Sequence, residues 1–512
     1  MKFSRTKNIF RNTFWGIIYR TVTLLGPFLV KTLIIYKLGD EYNGLSSLFT
    51  SILTVLNLSN LGFSSSLVYM MYKAVAEDDT DTLCALLNFF RKAYKYVGLA
   101  ILTMGIAIMP ILPKLISGSY PADINLYILF AIYLLETSLG YLMFAYNTAL
   151  FSAYQREDTI HKINTIRYFF QYTLQCLSLV IFANYYAYIV ILPLMVIPNN
   201  IAIYIVAKKQ YPKIKCKGKI STEDAKSLKK RVITLFGHKI GSTVLVSIDS
   251  MIISSFLGLI TLSNYSNYYY ILVAVNGIIE IFTNGSIASI GNKLITDTKE
   301  SNYRTFMTMS YTWITIVGFS ATYMLTLYQP FIAIWVGSER LLSDGIMALI
   351  VIYFYSWMFR IMQLTYRDAA GLWTKDWLKP YVGMIINLIG SILMVKLTNS
   401  IVGVLIPTTF VFFAIYFPWE AKTIFKYEFN KSPNQYYKRI IIQTCIVLVG
   451  AGASYLACIF IYPSHNLLAL PVRLFITTIV FGIIWWICTR NSEEYKGFIS
   501  LLSGILQRKR RV

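Results

Sequence analysis

The sequence predicts an all-α polytopic membrane protein of about fourteen transmembrane helices, in two pseudo-symmetric six-helix lobes plus two C-terminal helices. Three observations predict it. The 512 residues are 56% hydrophobic and only 14% charged, whereas an average soluble domain is about 25% charged. The apolar residues come in runs of about 20, the span of a bilayer. The runs show no alternation of period two, which excludes a closed transmembrane barrel. The same composition excludes a disordered chain, and six cysteines are too few for a disulfide scaffold.

Hydrophobic runs long enough to cross the hydrocarbon fall at 13–36, 42–71, 93–113, 124–151, 168–183, 187–207, 233–257, 264–291, 305–328, 345–366, 380–396, 401–421, 440–462 and 467–489. Pro27, Pro110, Pro193 and Pro407 lie inside them, as membrane helices tolerate. The first run is a span and not a cleaved signal peptide, since Arg20 and Lys31 interrupt it and no small-residue cleavage site follows. Two further stretches read as helices resting on the headgroups: Leu83, Leu86, Leu87 and Phe90, and the segment from Phe498 to Leu506 before a basic tail.

A formal charge of +23 invites a nucleic-acid partner, but the apolar runs argue against one. Orientation explains most of the charge. With a cytoplasmic N-terminus, the inside segments hold 37 of the 47 Lys and Arg, and the outside loops hold only Lys37, Lys114, Arg340 and Lys396. Both termini are therefore expected in the cytoplasm. The cysteines need no disulfides, and no CxxC or His-rich spacing marks a metal site.

The strongest break is 208–231, with ten basic residues. It separates an N-lobe (1–207, helices one to six) from a C-lobe (232–425, helices seven to twelve); residues 426–512 carry the last two helices and a basic tail. The halves repeat one another: LIIYKLG (33–39) aligns with MIISSFLG (251–258), and GFSSSL (62–67) with GSIASI (285–290).

Ionisable groups inside spans are costly and mark function, roughly 2.5–3.5 kcal/mol each on the insertion scale. Arg20 and Lys31 are eleven residues apart, three helical turns, so they share a face. His238 and Asp249 repeat that spacing in the seventh run, with Ser242 on the same stripe. The eighth run carries Asn276, Glu280 and Asn284 at successive i+4 positions, and the repeat sets Asn57 opposite Glu280. Glu136, Gly140 and Asn147 line the fourth run, and Arg360, Gln363 and Arg367 the tenth. The matched faces are expected to line a shared cavity in which Arg20, Lys31 and Arg360 bind phosphate. Asp249, Glu280 and Glu136 would bind a proton or Na⁺ or pair with a base, and Asn57, Asn276, Asn284 and His238 supply polar lining. Snorkelling to the headgroups is the alternative for Arg20 and Lys31, and interhelical hydrogen bonding for the amides.

The segments LGDEYNGLSSLFTSILTVLNLSNLGFSSSLVYMMYK (38–73), ALLNFFRKAY (85–94) and IDSMIISSFLGLITLSNYSNYYYILVAVNGIIEIFTNGSIASIGNKL (248–294) resemble the Wzx-type polysaccharide flippases. These belong to the multidrug/oligosaccharidyl-lipid/polysaccharide exporter superfamily. The resemblance implies a V-shaped, two-lobed bundle lined by helices one, two, seven and eight. It implies a flippase moving undecaprenyl-pyrophosphate-linked oligosaccharide from the cytoplasmic to the outer leaflet of a bacterial plasma membrane, for capsule, exopolysaccharide or O-antigen assembly. The family's basic cavity positions transfer to Arg20 and Lys31, and less closely to Arg360. Membrane lipids, a glycan polymerase and assembly machinery are the implied partners; no cofactor and no catalytic residue is expected. The alternatives are a multidrug or organic-cation exporter of the same superfamily and, from another class, a membrane-embedded glycan polymerase or ligase. The cations in the first span disfavour the exporter, and short outer loops with only three histidines disfavour the enzyme.

Overall fold

The structure, a computed structural model, describes the backbone of residues 5–57 and 63–509. Side chains are described for these except at 5–9, 63–67, 69, 224, 225, 227–240, 242, 281, 282, 284, 285, 288, 501, 502 and 504–509. Among the described residues every regular element is helical. The chain forms two compact units, Met1–Ser263 and Asn264–Val512.

The first unit holds α1 (Arg5–Lys37), α2 (Asp40–Leu56), α3 (Phe63–Ala76), α4 (Thr80–Ile108), α5 (Leu126–Leu142), α6 (Thr148–Ala153), α7 (Glu157–Phe182), α8 (Tyr185–Ile189), α9 (Ile191–Gln210) and α10 (Thr222–Leu257). The basic segment 208–231 belongs to it, and the division falls inside α11 (Leu259–Thr296). Gly39 stops α1 with φ 115° and Gly258 stops α10 with φ 84°. Only glycine adopts such angles without strain, and these are the two glycines that the internal repeat aligns. α1 packs along α7: a Cβ on Gly26 would sit 1.9 Å from the Tyr172 ring, and Tyr19 stacks on His161 with centroids 5.1 Å apart. The N-terminal end of this pair is pinned by Asp158, which takes Arg11 at 2.6 Å and Arg156 at 2.9 Å while its amide donates to Asn12 at 2.8 Å.

The structure revises three readings. The run 42–71 is divided: α2 ends at Leu56, capped by Asn57, and α3 starts at Phe63. The run 124–151 bends by 49° where Phe144 takes a left-handed φ of 48° between α5 and α6. Leu83, Leu86, Leu87 and Phe90 do not rest on headgroups. They are the first turns of α4, and none is more than 2% exposed. The reason is that α4 packs against α2, α3 and α5, while segment 211–219 binds its adjoining face: Asn88 donates to the Gly218 carbonyl at 2.8 Å, and the Lys215 amide to Cys84 Sγ at 3.2 Å. Asp79 caps α4, accepting from the Thr82 hydroxyl and amide, which holds its carboxyl below the usual range.

The second unit continues with α12 (Lys299–Val336), α13 (Asp344–Met358), α14 (Ile361–Ala369), α15 (Lys379–Thr398), α16 (Val402–Phe410), α17 (Phe417–Ile424), α18 (Asn434–Ile461), α19 (Ala469–Thr489) and α20 (Glu493–Lys509). π-helical turns at Val411–Tyr416 and Phe425–Phe429 flank α17. α12 is central, packing against α13, α18, α19 and α20. Its Trp313 is fully buried and donates to the Met358 carbonyl at 2.7 Å. Gly318 admits Val447 and Phe481, a small-residue contact that lets membrane helices approach closely. Arg473, inside α19, is 3% exposed and donates to the carbonyls of Thr326, Tyr462 and Pro463 at 3.1–3.2 Å, so backbone oxygens solvate its charge. Phe498 of α20 packs against Tyr311.

Each hydrophobic run falls on one of these helices or on a consecutive pair. Among the described residues nine helices are long and apolar enough to cross a membrane, ten if bent α5–α6 is one span. Large apolar side chains such as Phe170, Phe182, Leu397, Phe460 and Phe475 are more than half exposed. That outward belt suits lipid and not water. The chain is a multi-pass membrane protein.

Candidate functional site

In the first unit, Arg20 and Lys31 project from α1. Arg20 is exposed and has no ion-pair partner among the described residues; Lys31 is half-buried. Asp249 is 1% exposed in α10. Glu136 of α5 binds Arg167 of α7 at 3.3 Å, and that guanidinium also lies 4.7 Å from the Tyr168 ring. Asn57 accepts from the Tyr141 hydroxyl. His238 lies outside the described side chains, as does Ser242.

In the second unit, Asn276 is buried and its side-chain oxygen has no hydrogen-bond partner among the described residues. Glu280, one turn on, is half-buried, and Asn284 lies outside the described side chains.

Arg360 sits at the break between α13 and α14, 5% exposed. Its Nη1 is 2.6 Å from Glu420 Oε1, and its guanidinium lies over Phe412 and Tyr416 at 4.9 and 5.0 Å. An incoming phosphate would have to compete with Glu420 for it. Lys379 reaches the same Glu420 oxygen at 2.6 Å and Asp376 at 3.1 Å. Arg367 binds Asp376 at 3.0 Å and Asp368 at 2.7 Å, and the Trp373 indole donates to Asp368 at 2.9 Å. Three bases thus meet three acids in one chain of contacts joining the α13–α14 break, the start of α15 and α17. The set is neutral, which is the condition for holding charges out of water. Glu420 Oε2 has no hydrogen-bond partner among the described residues.

Sequence reasoning missed Glu420, Asp376, Asp368 and Lys379. For Glu420 a signal existed: a carboxylate at the end of the run 401–421, with Arg360 in the run before last. Lys379 and Asp376 gave none, because they read as ordinary loop residues.

No family model and no curated protein matches the chain. Solved structures do. The lipid II flippase MurJ, in an inward closed conformation, superposes with TM-score 0.66 at 15% identity, covering 94% of this chain and 99% of that one. An inward-facing multidrug resistance MATE family transporter of the MOP superfamily gives TM-score 0.58 at 10% identity over 77% and 93%. An outward-facing one gives 0.56 at 12% identity over 83% and 96%. The chain has the all-helical fold shared by these MOP-superfamily structures.

Proposed function

We propose that the protein is a flippase that carries a polyprenyl-pyrophosphate-linked oligosaccharide from the cytoplasmic to the outer leaflet by alternating access. The observation that carries this reading is the extent of the MurJ likeness. The unmatched 6% of the chain is too short to leave out both α18, of 28 residues, and α19, of 21. The two MATE structures cover 77% and 83% of it. Arg20 and Lys31 support the same reading, because two cations on one face of a spanning helix favour an anionic headgroup. Arg360, held by Glu420, is assigned to the buried charge cluster rather than to phosphate contact. Asp249 and Glu280 are the candidates for an ion- or proton-coupled reset, with Asn57, Asn276, Asn284 and His238 as polar lining. Glu136 is assigned to pairing with Arg167. The proposed setting is a bacterial plasma membrane with both termini cytoplasmic, in partnership with polysaccharide assembly machinery.

The test is reconstitution of the full chain in vesicles containing fluorescent lipid-linked oligosaccharide, with leaflet exposure read by an impermeant quencher under imposed H⁺ and Na⁺ gradients. Protein-dependent flipping is expected. Export of organic cations with no flipping of any pyrophosphate-linked glycan would overturn the assignment in favour of a drug exporter.

A further inference from the structure

A cavity of about 500 Å³ opens between the turn preceding α15 and the outer face of α17. Lys375, Lys422 and Lys426 line it together with Trp419, Tyr427 and Val382. All three lysines are exposed, and none has an ion-pair partner among the described residues. Asp376 and Glu420, close to Lys375 and Lys422 in sequence, are neutralised inside the cluster of Arg360, Lys379 and Arg367, and Glu428, on the turn that carries Lys426, has Lys299 as its charged neighbour. The groove therefore carries three positive charges that make no ion pair among the described residues.

These charges are gathered rather than scattered. Lys375 comes from the turn Leu372–Lys375 and Lys426 from the π-helical turn Phe425–Phe429, yet both ammonium groups lie over one ring, Tyr427, at 5.1 and 5.4 Å. Two like charges brought to one ring repel unless an anion lies between them. Both π-helical turns contribute to the wall, Ala414 and Ile415 from the first, Lys426 and Tyr427 from the second. Such turns sacrifice regular helical geometry and recur at functional sites. The groove also lies at ends of the candidate spans Lys379–Thr398 and Val402–Phe429. Trp419 stands in its wall and Trp377, 58% exposed, is two residues from Lys375, as aromatic anchors at a span end would be. Val382, Ala414 and Ile415 continue the wall toward the hydrocarbon. Positive head, aromatic collar and apolar foot match one amphiphile.

We propose that this groove binds the phosphate headgroup of an anionic phospholipid, at a site separate from the transport substrate. Lys375, Lys422 and Lys426 contact the phosphate, Tyr427 orients two of them, and the acyl chains descend over Val382 and Ile415. Bound lipid would bridge α15 and α17, whose inward faces hold Lys379 and Glu420.

The experiment is a thermal-unfolding titration of the purified full chain in neutral detergent with phosphatidylglycerol, phosphatidylcholine or inorganic phosphate. Phosphatidylglycerol is expected to raise the Tm saturably and phosphatidylcholine to leave it unchanged. The variant K375Q/K422Q/K426Q should lose affinity for phosphatidylglycerol by roughly two orders of magnitude, about fivefold per lysine removed near an anionic headgroup. The variant K208Q/K209Q/K217Q removes equal charge from the basic segment of the first unit and should bind as the parent does. Native mass spectrometry of lipid adducts reads the same affinities independently of any Tm change, and K375Q/K422Q serves where the triple variant is poorly folded. Unchanged affinity in the groove variants, equal loss in the control, or equal binding of phosphatidylcholine would each overturn the proposal. Saturation by inorganic phosphate at the same concentration would overturn the lipid as its source.

Discussion

Arg360 Nη1 lies 2.6 Å from Glu420 Oε1, though the two are 60 positions apart in the chain, and both side chains are buried. The pair belongs to a neutral set of six charges that ties α13–α14, α15 and α17 together. Removing one member of such a set strands its partners, at a cost of about 3–5 kcal/mol.

Glu420→Gln is accordingly expected to destabilise the protein by about that amount, because Arg360 and Lys379 lose their shared carboxylate. Arg360→Met combined with Glu420→Met removes one charge of each sign, and should be more stable than either single variant. Fluorescence-detected thermal unfolding measures all three; a double variant no better than the worse single would refute charge balance as the cause.

Gly44 of α2 faces the carbonyl of Leu259, and a Cβ there would lie 2.1 Å from that oxygen. Since the obstacle is backbone, Gly44→Ala should cost about 1–3 kcal/mol or more. Gly452 in α18 has open space around its missing Cβ, so Gly452→Ala should be neutral or stabilising by up to about 1 kcal/mol. Melting curves of the two variants compare them directly.

Arg20→Ala and Lys31→Ala should each deplete surface polysaccharide in a strain depleted of the parent protein, while still reaching the membrane. Loss of a charge-assisted contact of roughly 1.5–3 kcal/mol predicts at least about a tenfold fall in flipping. Wild-type surface glycan from both variants would remove these residues from the substrate path.

Burial pushes the Cys216 thiol up from its ordinary value, with the Tyr146 hydroxyl and Arg91 opposing more weakly. A raised thiol pKa leaves less thiolate at neutral pH. In a variant retaining only Cys216, iodoacetamide should therefore react more slowly than with glutathione, and faster as pH rises through 9. An impermeant maleimide should label it in inverted vesicles and not in intact cells, given cytoplasmic termini; labelling of intact cells would reverse the orientation.

The helices were legible in the sequence because crossing a membrane is a local requirement: each run must satisfy its own backbone and hide it behind apolar side chains. Gly39 and Gly258 were legible for the same reason, as a helix end is marked locally by a residue that tolerates positive φ. The burial of Leu83, Leu86, Leu87 and Phe90 was not legible, because it is set by how α4 packs against α2, α3 and α5. An amphipathic helix start looks alike whether lipid or protein covers it.

The sequence by itself determined the all-helical membrane class, the position of every hydrophobic run and the clustering of charge in alternate loops. Each is set by composition over about 20 residues. Only the tertiary structure decided which charges are spent on one another. Arg360 reads alone as a phosphate ligand, and becomes one member of a balanced buried set once Glu420 of α17 binds it and also Lys379, which binds Asp376 just before α15. The same folding buries Asp376 and Glu420 and leaves Lys375, Lys422 and Lys426 exposed, with no ion pair among the described residues. Pairing of charges depends on distance in space, which falls off over a few ångströms, and the chain brings these residues that close only when the helices pack.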